Sequence, residues 1–139
     1  MQELPHVRKV PENEADWFTT LADLARYLRG PEGCPWDQKQ TARSFASYVE
    51  EELGELMEAF DSGDRAHIEE EFGDMLFCLI ASAACAEGEG LFTLEGALRR
   101  IHEKMIRRHD HVFGETRADS AEAALESWNR VKARERGEA

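Results

Sequence analysis

The feature that most constrains the fold is a twelve-residue apolar run from Met75 to Ala86, in which Ser82 is the one polar residue. The run is shorter than the roughly 18–20 apolar residues that cross a membrane, so it predicts a buried helix. A helix that is apolar all round must be covered all round. Because one small domain can hardly cover it alone, we expect a partner subunit, in a symmetric dimer, to cover part of it. A central helix in a monomeric bundle is the alternative.

The rest of the chain also has a helical pattern. Apolar residues recur with a period near 3.6 between breaks of glycine and proline, and no long segment alternates with period 2. We therefore expect an all-α fold, a bundle of four to five helices, with residues 1–13 as an extension and residues 14–136 as the domain. The predicted helices span about residues 14–29 with Asn13 as the cap, 42–61, 64 to just before Gly88, 93–108 and 120–136.

Charge and composition exclude several classes of protein. Acidic residues outnumber basic ones by 29 to 17, which gives a net charge of -12, and a nucleic-acid polymer would be repelled. The 139 residues suit one domain, and the first fourteen lack the apolar stretch of a signal peptide. Three cysteines without paired metal spacing fit a reducing compartment. We expect a cytoplasmic protein that binds neither membranes nor nucleic acids.

Four carboxylates occupy positions that usually face a core. At about 100° per residue, Glu52 falls inside the apolar arc of the second predicted helix and Glu55 lies on its flank. On the third predicted helix, Glu71 and Asp74 share a ridge with Cys78. A short turn joins the two helices, so they should be antiparallel neighbours. The four carboxylates would then meet in one cleft.

Such a cluster predicts a cation site. Four close carboxylates cannot all stay ionised without a counter-charge, and oxygen ligands suit Mg²⁺ or Mn²⁺. A di-iron centre is disfavoured because its Glu-x-x-His motif occurs in no predicted helix. Gly54 and Gly73 stand beside these acids, either for a close backbone approach or because glycine is tolerated there.

A basic cluster ends the fourth predicted helix. Five of the 17 basic residues lie between Arg99 and His109, and Lys104 and Arg108 share a helix face. Charge alone favours surface salt bridges for this cluster. Together with a cation site, however, it suggests a metal-bound polyphosphate, whose charge Arg and Lys neutralise. No phosphate-binding P-loop motif is present.

Five short motifs reinforce this interpretation. In chain order they are Gly33-Cys34-Pro35-Trp36-Asp37 with Gln40-Thr41, Glu51-Glu52-x-x-Glu55, Glu71-Phe72-Gly73-Asp74, the stretch from Lys104 to Phe113, and Trp128-x-x-x-Lys132. Together they resemble the MazG-like nucleoside triphosphate pyrophosphohydrolases over about residues 24–136. One departure is Asp110, which replaces a proline that is usual in the family and affects the turn after the fourth helix.

The resemblance implies an all-α homodimer that hydrolyses NTP or dNTP to NMP and pyrophosphate with Mg²⁺, or Mn²⁺, in house-cleaning of the nucleotide pool. Water would attack the α-phosphorus, with Glu51 or Glu55 assisting as a base. The implied catalytic residues are Glu51, Glu52 and Glu55. The implied metal ligands are Glu52, Glu55, Glu71 and Asp74, and the implied substrate-binding residues are Lys104, Arg108, Trp128 and Lys132.

Two alternatives stay open at this point. One is a related all-α pyrophosphohydrolase with a narrower substrate, such as dUTP or phosphoribosyl-ATP. The other is a non-catalytic dimer that binds nucleotides. The preferred base and sugar, the choice between Mg²⁺ and Mn²⁺, any assembly beyond a dimer and the pathway are likewise open.

Overall fold

The structure is a computed structural model that describes residues 9–137, and within that range it is built of seven α-helices and no strand. The expected all-α fold is therefore confirmed. Most of the predicted extension, residues 1–13, lies outside the described range. The helices are α1 (Glu14–Arg29), α2 (Pro35–Lys39), α3 (Ala42–Ser62), α4 (Arg65–Glu89), α5 (Leu94–Arg108), α6 (Asp110–Phe113) and α7 (Ala121–Glu135).

The five long helices match the predicted ones closely, whereas the two short helices, α2 and α6, were not predicted. Five and four residues respectively are too few to show a 3.6-residue period. The prediction that α4 ends before Gly88 was wrong. The helix continues through that residue to Glu89 and ends at Gly90, whose φ of 73° lies in the left-handed region that glycine adopts without a steric penalty.

Polar side chains fix where the long helices begin. Asn13 accepts a hydrogen bond from the backbone N–H of Asp16 at 2.9 Å, as the sequence predicted. Thr41 and Ser44 form a reciprocal capping box at the start of α3. Asp64 caps α4 by accepting from the backbone N–H groups of its first turn. Each cap satisfies donors that the helix itself leaves unpaired.

Contacts divide the chain into two compact units, one ending at Leu94 and the other beginning at Glu95. In the first unit α4 is the central element, because it packs along both α3 and α1. The turn between α3 and α4 passes through Gly63, whose φ is 72°. The predicted hairpin of two neighbouring helices is therefore present. In the second unit α6 packs against α7.

The core of the first unit surrounds the second half of α4. Cys85 and Ala86 are fully buried there, in a cluster that includes Phe45 of α3. On its other side, Ile80 packs with Ala22 of α1. No single helix between residues 9 and 137 is long and apolar enough to cross a membrane, although α4 and α5 together pass that test on length and composition.

Several large apolar side chains are about half exposed within one chain. Leu79 is 48% exposed although it lies in the middle of the apolar run of α4. Five other large apolar side chains are between 45% and 53% exposed: Trp17, Leu53, Phe60, Leu98 and Ile101. The apolar pattern identified residues that avoid water, but the contacts within one chain do not cover all of them.

Arg29 anchors α2 beside the first unit's core. One of its guanidinium nitrogens donates to the backbone carbonyls of Asp37 (3.1 Å) and Gln40 (2.9 Å), and lies 2.8 Å from the Cys85 sulfur. The preceding turn requires Gly33, because a Cβ atom there would overlap the Leu28 carbonyl. These contacts fix the segment that leads into α3.

Candidate functional site

The helix pair α3 and α4 brings three of the four predicted metal ligands together. One carboxylate oxygen from each of Glu52, Glu55 and Glu71 lies within 4.8 Å of the other two. Glu52 and Glu55 are one turn apart on α3, and Glu71 comes from α4. This is the juxtaposition that the helical projection predicted.

Asp74 and Glu51 border this group without joining it. Asp74 is exposed, and its oxygens are not among the three that lie within 4.8 Å of one another. Its negative charge nevertheless contributes to raising the pKa of both Glu52 and Glu71. Glu51 is exposed and makes the smallest of the contributions that raise the pKa of Glu52. We call Glu52, Glu55, Glu71 and Asp74 the carboxylate cluster.

The electrostatics of the carboxylate cluster fit a cation. Burial raises the pKa of Glu52, and the neighbouring charge of Glu55 raises it further. The pKa of Glu71 is raised in the same way, first by burial and then by Glu55. The Oε2 atoms of Glu52 and Glu71 are buried and accept no hydrogen bond from the described residues. Buried, unpaired carboxylate oxygens are unfavourable, and a hard divalent cation is the ligand that such a donor set suits.

One residue of this region had no role in the sequence interpretation. The Nε2 atom of His67 lies 3.3 Å from Oε1 of Glu71, one helical turn away on α4. The i, i+4 spacing of the two residues is the signal that identifies such a pair from sequence.

The two helical glycines beside the cluster border open space. A Cβ atom added at Gly54 or at Gly73 would meet no atom of the described chain within 4 Å. Neither glycine is therefore needed for packing between α3 and α4 within one chain. Tolerance of glycine, or close approach of a ligand or of another chain, remains as the explanation.

The second unit contains the predicted phosphate- and nucleotide-binding residues. Arg108, with 13% of its side chain exposed, forms an ion pair with Glu135 at 2.9 Å. Its guanidinium carbon lies 5.1 Å from the centroid of the Trp128 ring, within the range of a cation–π contact. His109 packs edge-on against the same ring, with 5.5 Å between centroids. Two of the four predicted substrate-binding residues, Arg108 and Trp128, are thus in contact.

Lys104 and Lys132 are not part of this contact. Both are partly buried, and within residues 9–137 neither side chain forms an ion pair. Arg107 instead joins Arg108 on the same carboxylate of Glu135. This partner of the two arginines was missed by the sequence interpretation, because Glu135 lies outside all five motifs.

At the position where the family usually has proline, Asp110 is the first residue of a short helix, α6. Its backbone carbonyl accepts from Gly114 at 2.8 Å. A Cβ atom at Gly114 would overlap the Asp110 carboxylate, so the two residues fit each other. Nearby, Nδ1 of His111 is buried and has no hydrogen-bond partner among the described residues.

Known proteins share the region that contains the carboxylate cluster. Residues 40–113 match the family model described as the MazG nucleotide pyrophosphohydrolase domain, a segment that contains the whole carboxylate cluster. A crystal structure of a MazG-related protein from Thermotoga maritima superposes with a TM-score of 0.70 and 32% identity, covering 82% of this chain and 97% of that one. This structure therefore resembles the chain in sequence as well as in fold, over nearly its whole length.

Longer relatives share the same region. The chain is 43% identical over 119 residues to the uncharacterized protein YabN of Bacillus subtilis, covering 86% of this chain and 24% of that protein. It is 42% identical over 120 residues to the nucleoside triphosphate pyrophosphohydrolase/pyrophosphatase MazG of Thermotoga maritima, covering 86% of this chain and 46% of that protein. The chain therefore spans less than half the length of either relative. It belongs to the MazG nucleotide pyrophosphohydrolase domain family.

Proposed function

We propose that the chain is a divalent-metal-dependent nucleoside triphosphate pyrophosphohydrolase. Water adds to the α-phosphorus of an NTP or dNTP, the bond between that phosphorus and the bridging oxygen breaks, and NMP and pyrophosphate leave. The observation that carries the proposal is the convergence of Glu52, Glu55 and Glu71, in which the Oε2 atoms of Glu52 and Glu71 are buried and unpaired among the described residues. The name of the Thermotoga maritima relative describes the same activity.

The carboxylate cluster would hold the metal, Mg²⁺ or Mn²⁺. When bound, such an ion supplies a Lewis acid that stabilises negative charge on phosphate oxygens. The cation would be held by the four acids Glu52, Glu55, Glu71 and Asp74. The acids would thereby position the triphosphate that the cation binds. Mutual repulsion of the acids in the metal-free protein gives them a preference for a bound cation.

The remaining roles would fall to two acids of the first unit and to four side chains of the second unit. Glu51 is exposed on α3 directly beside Glu52, where it can take the proton that the attacking water loses; Glu55 is the second candidate for this base. Lys104 and Arg108 would bind phosphate oxygens, because fixed cations neutralise the charge that develops there. Trp128 and Lys132 would hold the nucleotide.

The same proposal includes a homodimer. Several apolar side chains on α3 and α4 are about half exposed in the described chain, and a second copy would remove them from water. They include Leu53, Met57, Phe60, Phe72 and Leu79, each between 45% and 56% exposed. Sedimentation velocity of the full chain tests this assembly, and a monomer at micromolar concentration would contradict it.

The expected setting is the cytoplasm, with nucleotide house-cleaning as the role. The three cysteines are all free thiols, which fits a reducing compartment. A house-cleaning enzyme would hydrolyse modified nucleotides faster than the canonical ones. The relative rates on modified and canonical nucleotides therefore test this role.

The test is product analysis from a panel of canonical and modified NTPs and dNTPs, in Mg²⁺, in Mn²⁺ and in EDTA. We expect NMP and pyrophosphate in equal amounts, with no turnover in EDTA. Release of NDP and phosphate would place the attack at the γ-phosphorus and contradict the proposal. Turnover of dUTP or phosphoribosyl-ATP alone would identify a narrow enzyme. Nucleotide binding without turnover would identify a non-catalytic dimer.

A further inference from the structure

The contact between His67 and Glu71 gives the carboxylate cluster a feature that the motifs do not include. His67 stands in the first turn of α4, where its backbone N–H is 3.3 Å from the capping carboxylate of Asp64. This cap fixes the backbone of His67, and with it the position from which the imidazole side chain extends. Helical side chains lean toward the N-terminus, so the side chain of Glu71 leans back toward that of His67.

The two oxygens of Glu71 lie in different surroundings. Oε1 lies 3.3 Å from Nε2 of His67, while Oε2 is buried and has no hydrogen-bond partner between residues 9 and 137. The side chain of Glu71 is 12% exposed and that of His67 is 45% exposed. One oxygen therefore meets a nitrogen at the solvent edge, and the other is enclosed. Glu71 therefore contacts His67 through Oε1, which leaves Oε2 available to a ligand.

The charges around Glu71 make His67 distinctive. Burial raises the pKa of this carboxyl, and Glu55 and Asp74 raise it further. His67 is the described residue that places a nitrogen within ion-pair distance of Glu71, at 3.3 Å. An i, i+4 pair of this kind adds only a few tenths of a kcal/mol to helix stability.

We infer that His67 is a positioning residue, which holds Oε1 of Glu71 so that Oε2 points at the cation. This inference rests on the proposed function, because it assumes a metal at the carboxylate cluster. Ligands of protein-bound metals are commonly oriented by such neighbours, and loss of one typically costs about 10- to 100-fold in metal affinity.

The test measures binding of Mn²⁺ to the full chain by isothermal titration calorimetry, with no nucleotide present. The variant His67→Ala is expected to bind Mn²⁺ about 10-fold or more weakly than the wild type. His67→Gln is expected to restore most of the affinity, because the Gln amide nitrogen reaches the position of Nε2. His67→Asn places its amide nearer the position of Nδ1 and is expected not to restore it.

Arg65→Ala is the matched control, because it removes a positive charge from the exposed first residue of α4. We expect the control to bind Mn²⁺ as the wild type does. Equal affinity of the wild type and His67→Ala would overturn the inference and leave the proposed function intact. A wild-type protein that binds no Mn²⁺ would overturn both.

Two further measurements distinguish positioning from other roles of His67. In turnover assays, His67→Ala is expected to require more Mg²⁺ for half-maximal rate while reaching a near-normal kcat at saturation. A purely structural role would instead lower the melting temperature without moving the Mg²⁺ requirement. Pulsed EPR of bound Mn²⁺ should show no strongly coupled imidazole nitrogen. Such a coupling, lost in His67→Ala, would make His67 a direct ligand and overturn the positioning role.

Discussion

The guanidinium group of Arg108 contacts both the carboxylate of Glu135 and the ring of Trp128. Its Nη2 and Nε atoms donate to Oε2 of Glu135 at 2.9 and 3.2 Å, and its central carbon is 5.1 Å from the ring centroid. Arg107 donates to the other oxygen of the same carboxylate. The two arginines hold the pKa of Glu135 at about 2. The contacts with Glu135 and Trp128 therefore fix the orientation of Arg108.

We predict that Glu135→Gln raises KM for NTP with a smaller effect on kcat, because Arg108 loses the partner that orients it. Initial-rate kinetics over a range of NTP concentrations measures this change. Glu126→Gln, an exposed position on the same helix, is the control. A KM unchanged from the wild type would show that Arg108 does not need Glu135 for phosphate binding.

The same ion pair predicts a pH dependence of stability. Since the pKa of Glu135 is lowered from 4.5 to about 2 in the folded protein, its stabilising contribution is fully present above the unfolded-state value and disappears as the pH falls through about 2. Urea unfolding of the wild type and Glu135→Gln should therefore differ at pH 7 and converge toward pH 2. An undiminished difference at pH 2 would contradict this assignment.

The carboxylate cluster predicts the opposite dependence in the metal-free protein. Because the pKa values of Glu52 and Glu71 are raised in the folded state, stability falls as the pH rises from the usual carboxyl range through those raised values. Glu71→Gln should reduce this loss. Thermal melting in EDTA across pH 4 to 8 measures it, and identical profiles for wild type and variant would contradict the prediction.

Addition of Mg²⁺ should reverse that loss of stability at neutral pH. A ligand that binds only the folded state adds about 2.7 kcal/mol to the free energy of unfolding at 100 times its Kd. The melting temperature of the wild type should rise with Mg²⁺ concentration, whereas that of Glu52→Gln should rise much less. Equal shifts in the two proteins would place the binding site elsewhere.

Loss of a cluster carboxylate is predicted to abolish turnover without unfolding the protein. Glu52→Ala and Asp74→Ala should each lower kcat/KM by about 100-fold or more, since a catalytic metal supplies several kcal/mol of charge stabilisation. Circular dichroism should be unchanged, because removal of an acid relieves repulsion. Glu58→Ala, an exposed position on α3, is the control. Wild-type rates in either cluster variant would refute its place in the site.

The turn before α2 gives a prediction that concerns the fold alone. Gly33→Ala would force a Cβ atom onto the Leu28 carbonyl, and such overpacking typically costs about 1–3 kcal/mol. Gly88→Ala is the matched control, because a Cβ atom there meets nothing within 4 Å and helix propensity favours alanine by up to about 1 kcal/mol. Chemical denaturation should give changes of opposite sign. Equal effects would contradict the described turn.

Much of this architecture was predictable because it depends on periodicity. The 3.6-residue pattern identified the long helices, and projection at about 100° per residue singled out Glu52 and Glu71 as carboxylates that point inward. The projection assigns a residue to a face of a helix but does not give its rotamer. That is why Asp74, on the same ridge as Glu71, lies beside the closest oxygen group rather than within it.

What could not be predicted depends on contacts between distant segments. The contact of Arg29 with Cys85 joins residues 56 positions apart, and no local pattern marks it. Glu135 was missed because it lies outside the motifs, although it forms ion pairs with two arginines. The half-exposed Leu79 shows that an apolar sequence predicts avoidance of water without identifying which surface supplies the cover.

Hydrolysis of an NTP in H₂¹⁸O with Mg²⁺, followed by mass spectrometry of the products, tests whether water attacks the α-phosphorus. Attack of water on the α-phosphorus predicts one ¹⁸O atom in NMP and none in pyrophosphate, with all turnover lost in Glu52→Gln. Label in pyrophosphate would show attack on the β-phosphorus. That result, or unchanged turnover in Glu52→Gln, would contradict the account.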